Sequence, residues 1–401
     1  MVTTGSTIGE RIRELRNGWM TQQELATAAG VSVDLVRKLE QGIRHTCSVS
    51  SLARLARALD VDMAALLAKP TPPPTTEPDS GLIAIRRVLT SVEDLTGGGH
   101  DVEPASLIEA ERTVDYLWGS YWSGRYELLA SLLPAALTTL RATYRDAKTA
   151  EKPQAAHILA RAYQAAGDTL VHMGQTDAAF LAIREALVAA KNSDDPLLYA
   201  AMRMSVSWQM LVQGRYDDSA NVALAAANEI SPRGKVSNSQ LSAYGILTVT
   251  AATATARKLD KASTVDLLAE SRQAANRIGY DRSEHQTTFG PAKVAMLSVD
   301  CAVVMDNFTG ALAAAQQLPR DAHLPLATKA RHLADVSLSH LRLGHDKKAL
   351  DTLLSTESFA SDWLKYQSLP RQITSELLER ENRKSTRLRE FATRIGATRS
   401  S

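Results

Sequence analysis

Apolar residues recur along most of this chain at intervals of three and four, the period of helices that bury one face. Near the N-terminus Ile8, Ile12 and Leu15 share such a face, and Asn17-Gly18 mark its end. Thr21-Gln22-Gln23-Glu24 reads as a capping box, with the Thr21 hydroxyl and the Glu24 carboxylate each serving a free backbone N–H. Leu25, Ala26 and Ala29 give that helix an inner face, Gly30 supplies a left-handed turn, and Ser32 is a natural N-cap for the next helix. If Leu35, Val36 and Leu39 point inward, the outer face of this third helix carries Val33, Asp34, Arg37 and Lys38. Two further short helices are predicted in "SVSSLARLARALDV" and "DMAALLA".

The helical period breaks at "KPTPPPTTEPDSG", 69–81, where prolines cannot continue a helix and favour a semi-rigid extended chain. This predicts a small domain over 1–68, a linker over 69–81 and a helical region over 82–401, with a second weak spot at "LTGGGHDVEP", 95–104. Within the larger region Tyr163, Ala166, Gly167, Leu170, Gly174, Ala179, Ile183 and Ala186 set small residues where two antiparallel helices approach. Turn signatures recur at Gly124, Gly174, Gly214 and Gly344, with weaker copies near "RKLDKA" (257–262) and "DNFTGA" (306–311). The fold class is therefore all-α.

Composition narrows the function. The formal net charge is only +2 over 401 residues, so a nucleic-acid partner has to be argued from a local patch. Cys47 and Cys301 offer no disulfide framework, and no Cys-x-x-Cys or His-Glu-x-x-His spacing supports a metal. "GGGH" at 97–100 lacks the Lys-Ser/Thr of a phosphate loop. No cofactor and no enzymatic activity are predicted. The first residues lack a signal peptide and the longest weakly polar run is too rich in Thr to span a bilayer, so a soluble cytoplasmic chain without a membrane partner is expected.

Residues 8–67 resemble the XRE-type helix-turn-helix, the phage-repressor and Cro family of five-helix (lambda-repressor-like) DNA-binding domains. The resemblance is carried by Thr21-Gln22-x-Glu24-Leu25-Ala26, Gly30-Val31-Ser32, Leu39-Glu40-Gln41-Gly42 and Leu52-x-x-Leu55-Ala56-x-x-Leu59. Cys47 departs from it, at a position where the family often has proline. The resemblance implies that helix three enters the major groove of double-stranded DNA. Arg37 would then pair with guanine edges and Val33 would touch a thymine methyl, while Asp34 would either accept from a cytosine amine or repel wrongly placed phosphates. Thr21, Gln22, Ser32, Lys38 and Arg44 would hold the backbone. Two plain core helices joined by a tight turn would not need an exposed face of this composition.

The repeated small-and-large pattern resembles the tetratricopeptide (TPR) motif, although the copies are spaced more widely than its period of about 34 residues. A TPR-like α-solenoid would present the first helix of each pair on a concave side. Its inward positions would include Trp118, Tyr121, Trp122, Gln164, Asp168, Met204, Trp208, Tyr244, Lys293, Met296 and Arg331, a mix suited to a peptide or an amphipathic small molecule. A helix-turn-helix joined to such a solenoid is similar to the peptide-responsive RRNPP regulators and to actinobacterial XRE–TPR regulators. That similarity implies a homodimeric, effector-responsive transcription regulator; the alternative is a protein-interaction scaffold localised by its DNA-binding head. No Asn ladder for an extended peptide is evident. The basic end of the chain, Arg380, Arg383, Lys384, Arg387, Arg389 and Arg394, accompanies Leu377, Leu388 and Phe391 and reads as the solvated face of a capping or dimerising helix.

Overall fold

The computed structural model describes residues 7–17, 20–44, 47, 49–59, 61, 66, 80–91, 102–319, 322, 324–380 and 385–397. The proline-rich part of the expected linker (69–79), Gly18, the glycine-rich 97–100, and Arg383 and Lys384 lie outside them.

In the head, α1 (Ile8–Arg16) starts from a Thr7/Glu10 capping box, and α2 (Gln22–Ala29) starts from the predicted Thr21/Glu24 box. Gly30 turns the chain at φ 62°, and the Ser32 hydroxyl caps α3 (Val33–Glu40) by accepting from the Leu35 N–H at 3.2 Å. Helix α4 (Val49–Ala58) closes the core, in which Ile12, Leu25, Val36, Leu39, Leu52 and Leu55 are buried and Leu35 sits half-buried at the rim. The expected fifth helix lies outside the described residues apart from Leu66, which is buried and accepts from Arg11 Nη1 at 3.3 Å.

The second region begins with α5 (Ser80–Leu89), two residues inside the stretch expected to be linker, and α5 packs on the hairpin that follows. The chain then runs through antiparallel pairs: α6 (Leu107–Trp122) with α7 (Tyr126–Asp146), α8 (Lys152–His172) with α9 (Thr176–Lys191), and α10 (Pro196–Val212) with α11 (Tyr216–Glu229). It continues with α12 (Asn238–Arg257) and α13 (Lys261–Ile278), α14 (Pro291–Val304) and α15 (Phe308–Ala315), and α16 (Leu326–Arg342) and α17 (Asp346–Tyr366). Helices α18 (Ser368–Arg380) and α19 (Thr386–Arg394) end it. Each first helix touches the first helix of the next pair, forming an inner layer. The fold is a helix-turn-helix head followed by a TPR-like stack of helix hairpins.

One turn geometry is reused in six of these pairs. Gly124, Gly174, Gly214 and Gly344 take positive φ, and the weaker copies do the same with Leu259 (φ 64°) and Asp306 (φ 59°). In each, the next N–H reaches back to the helix, as Gln175 N does to the Leu170 carbonyl at 2.8 Å and Asn307 N to Ala302 at 2.8 Å. This is the Schellman closure, which satisfies carbonyls that a helix end leaves open. Alanine faces such as Ala155, Ala156, Ala160, Ala162, Ala165 and Ala166 let the pairs approach closely.

Two features depart from the sequence reading. A β-hairpin interrupts the helices, with β1 (Arg282–Glu284) antiparallel to β2 (Thr287–Phe289) and His285 and Gln286 both at positive φ in the turn. Its tip reaches back across the solenoid: His285 Nε2 lies 3.2 Å from Asp195 Oδ2, and the Gln286 amide oxygen, turned toward Arg161, accepts from Nη2 at 2.8 Å. The stack also curls onto itself. Tyr366 OH donates to Glu127 Oε1 at 2.6 Å, and Gly124 lies against Leu326 and Trp363. The inner layer is consequently more enclosed than an open concave face.

Candidate functional site

In the head, the orientation of α3 is set by its buried end. Glu40 accepts from Arg16 Nε at 2.7 Å and Nη2 at 2.9 Å, and from Gln22 Nε2 at 2.8 Å, tying α3 to α1 and α2. Burial pushes the Glu40 carboxyl up, but the hydrogen bonds from Arg16 and Gln22 outweigh it and hold the group below the usual carboxylate range. The Gln22 amide, expected to hold a phosphate, is committed to this clamp. Thr21 and Ser32 are exposed, with their hydroxyls used as N-caps.

Opposite the clamp, Asp34, Arg37 and Lys38 are exposed and Val33 is half-buried. Asp34 takes Arg37 Nη2 on one oxygen and Lys38 Nζ on the other, both at 2.7 Å, so Lys38 and Arg37 hold its carboxyl below the ordinary range. Exposed ion pairs of this kind are weak and salt-screened, so Arg37 is readily released to another acceptor. Arg44 is exposed beyond α3, its N–H bonded to the Lys38 carbonyl at 2.9 Å. Sequence reasoning missed Ile43, which is 67% exposed beside this face; the only signal was an apolar residue in an otherwise polar loop. Burial pushes the Cys47 thiol up to about 12, which removes it as a reactive thiolate.

Residues 7–68 match a family model described as a helix-turn-helix domain. The head is a helix-turn-helix domain. No curated protein matches the chain. Among solved structures it is similar to a Rap protein complexed with competence and sporulation factor, at 12% identity and a TM-score of 0.43, over 90% of this chain and 99% of that one.

Replacing Glu40 by glutamine should destabilise the helix-turn-helix domain by about 2 kcal/mol, the scale of a hydrogen bond to a charged group. The native carboxylate stabilises the domain above its unfolded value of about 4.3, and this contribution disappears as pH falls through the depressed folded value. Urea melts across acid pH check both points: the variant should start lower and lose less on acidification.

Every inner-face residue named from the sequence lies on the first helix of its pair. Trp118, Tyr121, Gln164, Asp168 and Met296 are buried, Trp122, Met204, Trp208, Tyr244 and Lys293 are half-buried, and Arg331 is exposed. They form two groups. On α6, α8 and α10, Trp118, Tyr121, Trp122, His172 and Trp208 make a chain of ring contacts with centroids 5.0–5.7 Å apart, and Tyr126 stacks on His172 at 4.6 Å. Beside them Gln164 Nε2 donates to Ser205 Oγ at 3.0 Å, and Ser205 Oγ donates to Asp168 Oδ2 at 3.2 Å. Burial raises the Asp168 carboxyl to about 7 and lowers the His172 imidazole to about 4. Sequence reasoning did not place Tyr126, His172 or Ser205 here.

The second group lies on α12, α14 and α16. Arg257 grips Asp300 through two bonds of 2.8 and 3.0 Å, and Arg331 bonds both Asp300 and Asp335 at 3.2 Å. Burial lowers the nearby Lys293 ammonium to about 8. Tyr244 is occupied by a hydrogen bond to Glu270. At the chain end, Arg380, Arg387 and Arg394 pair with Asp346, Asp351 and Glu357 of α17, while Leu377, Leu388 and Phe391 are buried. Among the described residues no group of three or more His, Cys, Asp or Glu could hold a metal, and no helix is long and apolar enough to cross a membrane.

Proposed function

We propose that this chain is a sequence-specific DNA-binding transcription regulator, dimeric on a two-fold operator, whose TPR-like solenoid binds a peptide or an amphipathic small molecule. The observation that carries the reading is the split of α3, with Val36 and Leu39 buried, Glu40 clamped, and Arg37 and Lys38 facing outward. That leaves one cationic helix face for the major groove, which the net charge of +2 would not supply. The domain division follows: a DNA-binding unit over 1–68, a connecting stretch over 69–81 whose last residues join α5, and an effector unit over 82–401.

The head also touches the solenoid. Arg57 Nη2 donates to the Lys258 carbonyl at 3.0 Å, at the turn that follows α12. A ligand that binds unequally to two placements of the head on the solenoid would bias the head through this contact.

Selection of bound duplexes from a random pool by the full chain, at near-physiological salt, tests this reading. A two-fold consensus with half-sites about 34–36 Å apart, or a multiple of that, is expected. Recovery of a stable protein partner with no enriched duplex would favour the scaffold alternative. On the selected operator, Arg37→Ala should weaken binding about tenfold or more and relax the preference at one base pair. A uniform loss across all sequences would instead assign Arg37 to a phosphate.

A further inference from the structure

We infer that Asp168 anchors the ammonium or guanidinium group of an organic cation, in an aromatic-walled site formed by α6, α7, α8 and α10. The inference rests on the reading of the solenoid as an effector unit and names the chemistry that unit takes.

It starts from polar atoms that have no partner. Tyr126 OH, Gln164 Oε1, Asp168 Oδ1, Thr169 Oγ1 and Gln209 Oε1 are all buried without a hydrogen bond, and all belong to α7, α8 or α10. Protein interiors leave few such atoms, and the one on Asp168 belongs to an acid held only by Ser205, which calls for a further partner. Three of the five are amide or carboxylate oxygens, which can only accept once Asp168 is ionised, so a partner that holds it ionised against burial has to bring donors. Water brings two donors and also asks for acceptor contacts of its own. An ammonium brings three and a guanidinium five, without adding an acceptor.

Charge selects between these. Asp168 is 4% exposed and its one hydrogen-bond partner is the neutral Ser205. Asp300, equally buried, is gripped by Arg257 and Arg331, and Asp335 bonds Arg331. Within one inner layer, two carboxylates therefore have cations and the third has none. Buried carboxylates are ordinarily paired, and an unpaired one is costly.

The walls suit the same group. His172 lies one helical turn beyond Asp168, and Trp208 lies one turn beyond Ser205 on the facing helix. Tyr121, Tyr126, Trp208 and the neutral His172 place ring faces and edges around the approach, where a desolvated cation gains from ring quadrupoles. Trp122 and Trp208 are half-buried members of the same ring chain, in contact with Trp118 and His172.

The test uses the full chain and tryptophan fluorescence, with phenethylamine, its neutral isostere 2-phenylethanol, methylguanidinium, and a phenylalanine-led tripeptide in free and N-acetylated forms. A probe of about nine heavy atoms should saturate with a Kd on the order of 1 mM. Phenethylamine is expected to bind at least about tenfold more tightly than 2-phenylethanol, and Asp168→Asn should erase that preference while keeping the fold. The amine-to-alcohol comparison on the native chain stands even if the variant misfolds. Tripeptide binding that is lost on acetylation would identify a peptide terminus as the source, and preference for methylguanidinium an arginine side chain. Equal binding of amine and alcohol, no saturable binding by any of the cations, or a preference that survives Asp168→Asn overturns the inference and leaves a hydrated network. Operator affinity measured in parallel separates the two readings. Amine binding that leaves it unchanged keeps the site and removes the sensor, whereas a response to cell extract when every cation fails keeps the sensor and removes the site.

Discussion

Gly9→Ala is expected to unfold the helix-turn-helix domain and abolish DNA binding while the solenoid stays folded. A Cβ at Gly9 would fall inside the contact distance of the Leu39 carbonyl, so α1 and α3 cross with backbone against backbone. Backbone does not swing aside as the end of a flexible side chain does; the two helices have to separate. That separation would also pull Arg16 from Glu40 and open the core around Ile12, Leu25 and Leu39. Overpacking usually costs about 1–3 kcal/mol, and a clash with a core helix backbone belongs at or beyond the top of that range. A domain of this size has little stability to spare. Hydrogen exchange should show α1–α4 unprotected and the solenoid helices still protected, with change limited to where the head touches them, as Arg57 does at the turn after α12. Native operator affinity in the variant would contradict the close approach.

Gly245→Ala should destabilise the solenoid by about 3 kcal/mol and release the β-hairpin. The Phe289 ring occupies the space a Cβ at Gly245 would take, and it is fully buried among Leu241, Ile246, Val249 and Ala275. The ring has nowhere to rotate, so the end of β2 has to lift from α12. The contacts of His285 with Asp195 and of Gln286 with Arg161 depend on that seat and should go with it. A thermal melt would register the loss, and exchange over 282–289 would rise well before the helices open. An unchanged melt would mean that the hairpin docks independently of Gly245.

The parts that were legible in the sequence are those decided within a few residues. Thr21 and Glu24 cap α2 because the chemistry spans three positions, and Ser32 does the same for α3. The turns at Gly124, Gly174, Gly214 and Gly344 announced themselves because left-handed backbone favours glycine. Leu259 and Asp306 adopt the same conformation but left only faint copies, since there the packed helices impose a strained turn. The inner helices were legible as well, from the spacing of large and small residues. The first turn of the linker boundary was less so, as α5 begins at Ser80.

What tertiary structure alone decided is which polar groups are matched. From composition, Asp168, Asp300 and Asp335 are equivalent acidic residues on inner helices. Arg257 and Arg331 come to Asp300 from helices on either side of it, and among the described residues no cation comes to Asp168. Gln22, expected at a phosphate, donates to Glu40, which lies beside it only in the folded head. The hairpin had no turn signal in His285-Gln286 and is held instead by Asp195, Arg161 and Gly245, each distant along the chain. Local steric and capping rules are written residue by residue and survive in the sequence. Burial and charge pairing depend on which distant helices meet, so the sequence determined the elements and their stacking, and the packed chain determined where an unmet charge was left.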